Sequence, residues 1–259
     1  MATIAADTGR PSLPLVRRLE AVGFRAWPAR NVSFDGSWQL RTTPGHPSKR
    51  LNCLVPLDPA DSRDIADRIA AAEAAFHAQG ITPSIRQSPL CPQELPPVLE
   101  KLGWVPRQRT FVMAAELAKM DLATGMDHLP THDVQRFAEA CIRIDEARDT
   151  TVEVLTDIIR AIVPPAGLFL MENAEGPQAV GICVQDNDMA GLQQVVVEKT
   201  QRRRGLGHEL VTAALRWARL RGARQAWLQV LADNAPAIAL YEQLGFRVAY
   251  DYRYWQKVA

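Results

Sequence analysis

The chain has 259 residues, of which 47% are hydrophobic and 23% charged, the balance of a folded globular protein rather than a disordered or fibrous one. Lys and Arg number 30 against 29 Asp and Glu, for a net charge of +1, so no bulk attraction to nucleic acid or to an acidic membrane is expected. No stretch approaches the roughly 20 apolar residues of a membrane span, and no basic flank followed by an apolar run opens the chain; a cytoplasmic location is expected.

The length accommodates two units of ordinary size. Cys53, Cys91, Cys141 and Cys183 are scattered, with no C-x-x-C pair, and read as reduced and buried. His128 and His132 are four apart, but Pro130 between them argues against a shared helical face, and no metal is expected.

In chain order, residues 37–41 and 50–57 are predicted strands, separated by the turn-rich Thr43-Pro44-Gly45-His46-Pro47-Ser48. Ile65, Ala66, Ile69, Ala72 and Phe76 recur at three- and four-residue steps and predict a helix within 61–80, with Gly80 past its end. Four prolines mark 89–97 as a loop, leading to a short helix at 98–102, Gly103, and a strand at 109–117. Leu99-Glu100-Lys101-Leu102-Gly103-Trp104 lines up with Tyr241-Glu242-Gln243-Leu244-Gly245-Phe246, about half the chain length away. A tandem pair of related halves and a chance likeness of two helix ends are both open on this pattern.

Residues 119–131 lack a period and contain Gly125 and Pro130, which places the boundary there. The expected organisation is an N-terminal α/β domain at 1–120 and a second domain at 127–259. Helices at 131–143 and 151–163 precede strands at 167–172, 178–185 and 191–197, with Glu175-Gly176-Pro177 as the first turn between strands.

The most informative run follows. Val195, Val196 and Val197 end a β-branched strand. A basic loop carries Arg202, Arg203, Arg204, Gly205, Leu206, Gly207 and His208, and a helix runs over 207–221. A helix N-terminus offers up to four free N–H donors and roughly half a positive charge, which suits a diphosphate. The two glycines let the backbone approach a ligand. Three arginines on a loop also read as a solvated surface. Beyond a strand at 224–231, Asp233 or Asn234 reads as the cap of a last helix, on which Ala237, Leu240, Tyr241 and Leu244 share one face.

Arg202-Arg203-Arg204-Gly205-Leu206-Gly207 resembles the Arg/Gln-x-x-Gly-x-Gly/Ala element of the GNAT (GCN5-related N-acetyltransferase) superfamily. The run Asn234, Ala237, Tyr241, Gly245-Phe246 resembles that superfamily's second signature. The resemblance implies an α/β (α+β) acyltransferase fold with a mixed central sheet over about 127–257. It further implies acetyl-coenzyme A as cosubstrate and an enzyme that moves its acetyl group to a primary amine of a small molecule or peptide. By the same resemblance, Val195, Val196 and Val197 flank the pantetheine arm, residues 202–208 hold the diphosphate, Asn234 and Ala237 lie beside the arm, and Tyr241 is the general acid. The first half resembles the N-terminal region of uncharacterised bacterial acetyltransferases through Gly36-Ser37-Trp38-Gln39-Leu40-Arg41 and Lys49-Arg50-Leu51-Asn52. It has no arginine-glycine turn, and Leu99 stands where Tyr241 stands; a degenerate GNAT-like half of this kind would serve the substrate pocket or an interface.

A lysine-like amine of pKa about 10.4 costs about 4.6 kcal/mol to deprotonate at neutral pH, so a base is needed. Glu172, Asp186, Asp188 and Glu198 lie near strand ends, each also readable as a surface acid, and no single base emerges. A non-catalytic acyl-coenzyme A sensor or interaction module is the competing reading, and the pattern leaves room for a homodimer.

Overall fold

The computed structural model describes residues 11–122, 128–145 and 149–257. Part of the expected boundary, 123–127, and the first ten residues therefore lie outside the described residues. The first half runs α1 (Leu13–Ala26), β1 (Asn31–Asp35), β2 (Trp38–Thr42), β3 (Cys53–Pro56), α2 (Ile65–His77), β4 (Ile85–Gln87), α3 (Leu95–Lys101) and β5 (Trp104–Glu116). The second runs α4 (Val134–Ile144), α5 (Val152–Arg160), β6 (Ala166–Asn173), β7 (Gly176–Asp186), β8 (Met189–Val197), α6 (Leu206–Leu220), β9 (Gln225–Leu231), α7 (Ala235–Gln243) and β10 (Arg247–Lys257).

Local chemistry sets the helix ends. Asp133 accepts from the Arg136 amide at 2.9 Å and Thr151 from the Val154 amide at 3.3 Å, so α4 and α5 start just after these caps. Thr131, expected to open α4, instead bridges to Leu168. Past α2, Gly80 takes φ +65° and the Ile81 amide reaches back to the Phe76 carbonyl at 3.0 Å, the glycine-terminated end expected for it. Ala66, expected on the apolar face of α2, is exposed, and Arg68 is buried in its stead.

The ten strands of the described residues form one mixed sheet in the order β1-β2-β3-β4-β10-β5-β9-β8-β7-β6. The order reads the same from both edges if β1 to β4 are matched with β6 to β9 and β5 with β10. On each side an antiparallel meander leads to a parallel pair, β3 with β4 and β8 with β9, bridged by a crossover helix, α2 or α6. The last strand of each half then crosses over: β10 lies between β4 and β5, and β5 between β10 and β9.

Alternation along the strands divides the core. On one face Val112, Ala114, Trp227, Tyr250, Tyr252 and Tyr254 pack under α1, α4 and α5. On the other, Met113, Ala115, Leu228 and Val230 pack under α6 and α7, while Trp38, Leu54, Ile85 and Trp255 pack under α2 and α3. All four cysteines are buried, and none forms a disulfide among the described residues. Burial pushes the Cys53 thiol up to about 11 and Cys91 to about 12, so they behave as small hydrophobes.

Candidate active site

β8 and β9 run parallel and pair only from Met189–Gln225 to Leu192–Leu228. Beyond that point β8 continues to Val197 and β9 to Leu231 without pairing to each other, so the strands splay. A bulge in β8 drives the separation: the register against β7 shifts between Val180 and Ile182, and Gln194 takes φ +53°. The extra residue reverses the alternation. Met189 and Gln193 belong to the α1–α4–α5 face, whereas Val195 and Val197 pack into the cluster under α6 and α7, and Val196 into the opposite one. Past Leu192 the β8 edge that faces β9 thus has no strand paired to it among the described residues.

This edge leads directly to the start of α6. The Glu198 side chain accepts from the Thr200 and Gln201 amides at 2.7 and 3.2 Å, which orders a 3-10 turn over Lys199–Gln201; its hydrogen bonds, with the Thr200 hydroxyl foremost, hold the carboxyl below its ordinary range. Gly205 sits at the N-cap with φ +85° and no side-chain cap. The first i→i−4 bond is Glu209 N–H to the Gly205 carbonyl at 3.0 Å, so the amides of Leu206, Gly207 and His208 have no acceptor within the helix. The three arginines are exposed. Arg202 donates to the Val197 carbonyl at 3.2 Å and Arg204 to Gln201 at 2.9 Å, so these two brace the loop. A Cβ at Gly205 would meet no atom within 4 Å, while one at Gly207 would touch Leu240 at 3.4 Å and Val197 at 3.5 Å.

The structure gathers Val195, Val197, Leu206, Ala237, Leu240 and Tyr241 into one cluster. Asn234 caps α7, its side-chain oxygen accepting from the Ala237 amide at 3.2 Å, which fixes the start of the helix that carries Tyr241. The Tyr241 ring is edge-on to Phe246 at 5.8 Å, and burial pushes its hydroxyl up to about 12.

On the opposite face, a pocket of about 390 Å³ opens where β8 and β9 part, lined by Gln194, Gln229 and Leu231. Its remaining walls come from β5 (Gln108, Thr110), β10 (Tyr252, Tyr254), the loop before β3 (His46 to Arg50) and Asp145 at the end of α4. The Tyr252 hydroxyl donates to Gln229 at 2.7 Å, fixing the amide at the mouth of the splay. None of Glu172, Asp186, Asp188 and Glu198 lines this pocket. Glu172 pairs with Arg136, Asp188 with Arg18, and Asp186 with Arg25 at 2.6 Å. The only carboxylate among the described lining residues is Asp145. Nothing in the sequence singled it out, since it falls in an acidic-basic run just past a helix, and its role as a wall follows only from how α4 crosses the sheet.

A parallel pair that splays at a bulge and ends on an uncapped, glycine-led helix N-terminus defines an acyltransferase fold of the GNAT class. The family model described as "Probable histone acetyltransferase Rv0428c C-terminal" matches residues 15–255, and the chain belongs to that family. It is an N-acetyltransferase of the GNAT superfamily. The uncharacterized N-acetyltransferase YobR of Bacillus subtilis is 23% identical over 244 residues, which cover 92% of this chain and 97% of that one. A mycothiol acetyltransferase of Corynebacterium glutamicum is 40% identical over 93 residues, but these cover 35% of this chain and 31% of that protein. The structure of a GCN5-related N-acetyltransferase from Kribbella flavida superposes with a TM-score of 0.70 at 17% identity, over 97% of each chain. Among the described residues no helix is long and apolar enough to cross a membrane.

Proposed function

We propose that the protein transfers the acetyl group of acetyl-coenzyme A directly to a primary amine seated in the pocket at the mouth of the splay. The observation that carries this reading is continuity: past Leu192 the β8 edge, no longer paired to β9, runs from that pocket to the open N-terminus of α6. The residues present fit the cosubstrate. Past Leu192 the edge of β8 is not paired to β9, which leaves 193–197 for the amides of a pantetheine arm, and the amides of 206–208, with no acceptor within the helix, would take the diphosphate beside the open space at Gly205. When bound, acetyl-coenzyme A supplies an activated acyl carbon and a thiolate leaving group.

This chain's residues then have separable tasks. Strand amides near Val195 and Val196 serve as donors to the thioester oxygen. The amine loses its proton to solvent, its nitrogen bonds to the acyl carbon, and the carbon–sulfur bond breaks. Tyr241 acts at the sulfur. With a hydroxyl at about 12 and a thiol near 8.5, complete proton transfer to the thiolate is uphill by about 5 kcal/mol, so Tyr241 stabilises the leaving group by donating a hydrogen bond to it. The first half contributes walls to the pocket. The palindromic strand order supports reading it as a degenerate GNAT-like repeat that has kept the sheet and lost the cofactor turn.

Titration calorimetry with acetyl-coenzyme A, and release of free thiol in the presence of pooled amines, test the reading. Gly205→Glu places a carboxylate at the diphosphate position and is expected to abolish binding; undiminished affinity would remove the site.

A further inference from the structure

The acceptor pocket carries a charge pattern that goes beyond a generic amine site. Lys49 and Arg50 both line it, and neither forms an ion pair with a carboxylate among the described residues. Each is instead held by a neutral amide: the Lys49 ammonium donates to Gln108 at 2.7 Å, and the Arg50 guanidinium to Gln193 at 2.7 Å while lying 5.9 Å from the Trp27 ring. An amide acceptor fixes where such a group sits without neutralising its charge, which is how a preformed anion site is built. The Lys49 ammonium is half-buried, and burial disfavours its charge, so an anion placed beside it recovers part of that cost. The Tyr254 hydroxyl, in the same wall, is buried without a hydrogen-bond partner among the described residues, where one is ordinarily found. The opposite charge in the wall is Asp145, the one carboxylate among the described lining residues.

We infer that the acceptor is a small zwitterionic amine, its carboxylate held by Lys49 and Arg50 and its ammonium side by Asp145, with the nitrogen directed at the splay past Gln194 and Gln229. This rests on the N-acetyltransferase reading of the pocket and narrows it to an amino-acid-like substrate class. The volume of about 390 Å³ holds roughly a dozen non-hydrogen atoms at the space a liquid water occupies, the size of a free amino acid and far below that of a folded partner. Among the described lining residues, two cations without a carboxylate partner against one carboxylate also oppose a polyamine or a lysine-rich peptide.

The test uses the full chain with acetyl-coenzyme A, following thiol release with the proteinogenic amino acids, each paired with its decarboxylated amine, and with spermidine and a lysine-rich peptide. At least one amino acid is expected to exceed its decarboxylated partner by roughly 10- to 100-fold in kcat/KM, chiefly through KM. In Lys49→Gln that advantage should shrink about tenfold, Lys49→Arg should restore most of it, and acetyl-coenzyme A affinity should be unchanged. Asp145→Asn should raise KM for the preferred amino acid. Spermidine or the peptide outperforming every amino acid, equal use of amino acids and decarboxylated amines, or no turnover of any zwitterion would each overturn the inference. Calorimetry separates this failure from that of the broader reading: if acetyl-coenzyme A still binds and any amine is acetylated, the acetyltransferase assignment stands and only the substrate class falls.

Discussion

Gly205 and Gly207 look alike in the motif but answer to different physics. Gly205 is required by its backbone, since φ +85° is a left-handed conformation that costs an L-residue about 1–2 kcal/mol. Gly207 is not in that region, and its constraint is the wall of Val197 and Leu240 at 3.4–3.5 Å from a built Cβ. Gly205→Ala is therefore expected to lower stability by about 1 kcal/mol and weaken acetyl-coenzyme A, whereas Gly207→Ala should fold normally; urea melts and calorimetry on the two variants make the comparison. Tyr241→Phe removes a hydroxyl that forms no hydrogen bond among the described residues, so stability should change by under about 1 kcal/mol while kcat falls by about 10²-fold, with KM for acetyl-coenzyme A unchanged. Because the folded-state value is raised to about 12, the proton stays in place below pH 10 and is lost only as pH climbs through 12. Hence Tyr241 should contribute no inflection to the pH–rate profile between pH 6 and 10. Tyr241 and the glycine turn were singled out by their resemblance to the two GNAT signatures; the helical period alone places Tyr241 only on the apolar face of α7. Lys49, Arg50 and Asp145 were not legible as a group, since they come from two distant loops and meet only across the sheet.

At the scale of elements, strongly periodic helices and β-branched strands were recovered from the sequence, and what was missed has specific causes. Helix α1 has Val16, Leu19, Val22 and Ala26 on its buried face, but buried Glu20 and Gly23 interrupt the apolar stripe that would have announced it. β1 is exposed along its whole length and β4 is only three residues, so neither shows an alternation. The start of β5 was lost because Arg107, Gln108 and Arg109 are exposed, and their strand is defined by pairing to β10 rather than by burial. Two packing features give predictions here. Gly191 lies under the Trp227 indole, where a built Cβ would fall 2.4 Å from the ring; Gly191→Ala should destabilise the protein by about 1–3 kcal/mol in urea melts. Asp61 ties the β1–β2 turn to α2, accepting from the Ser37 amide at 3.0 Å and from Arg68 at 3.0 Å. Its hydrogen bonds, with that from the Ser37 amide foremost, hold its carboxyl well below the usual range despite burial. For a depressed carboxyl, the stabilisation is complete above the unfolded value near 3.9 and fades as pH falls toward the folded one. Asp61→Asn should thus lower stability at pH 7 and flatten its acid limb below pH 4, a change read from melts across pH 2–7.

For the whole molecule, the decisive feature is the exchange of last strands. β5 pairs along nearly its whole length with β10, from Trp104–Lys257 to Ala114–Arg247, and with β9 from Thr110–Leu231 to Glu116–Gln225; neither partner belongs to the first half of the chain. Without β10, β4 keeps only its single paired position with β3, Leu54–Ile85. The halves are further joined inside the core, where Glu20 on α1 pairs with Arg86 of β4 at 2.6 Å and accepts from the Tyr250 hydroxyl of β10 at 2.6 Å. A fragment ending at residue 122 would present β5 as an unpaired strand carrying Val112, Met113 and Ala114, a template for aggregation. Fragments 11–122 and 128–257 expressed separately are accordingly expected to be insoluble or unfolded by circular dichroism, to recover solubility when co-expressed, and the intact chain to melt in one cooperative transition. A separately folded, monomeric fragment with its own sharp melt would show that the shared sheet is an association of two stable units, and that the walls of the pocket at the splay can part without either half unfolding.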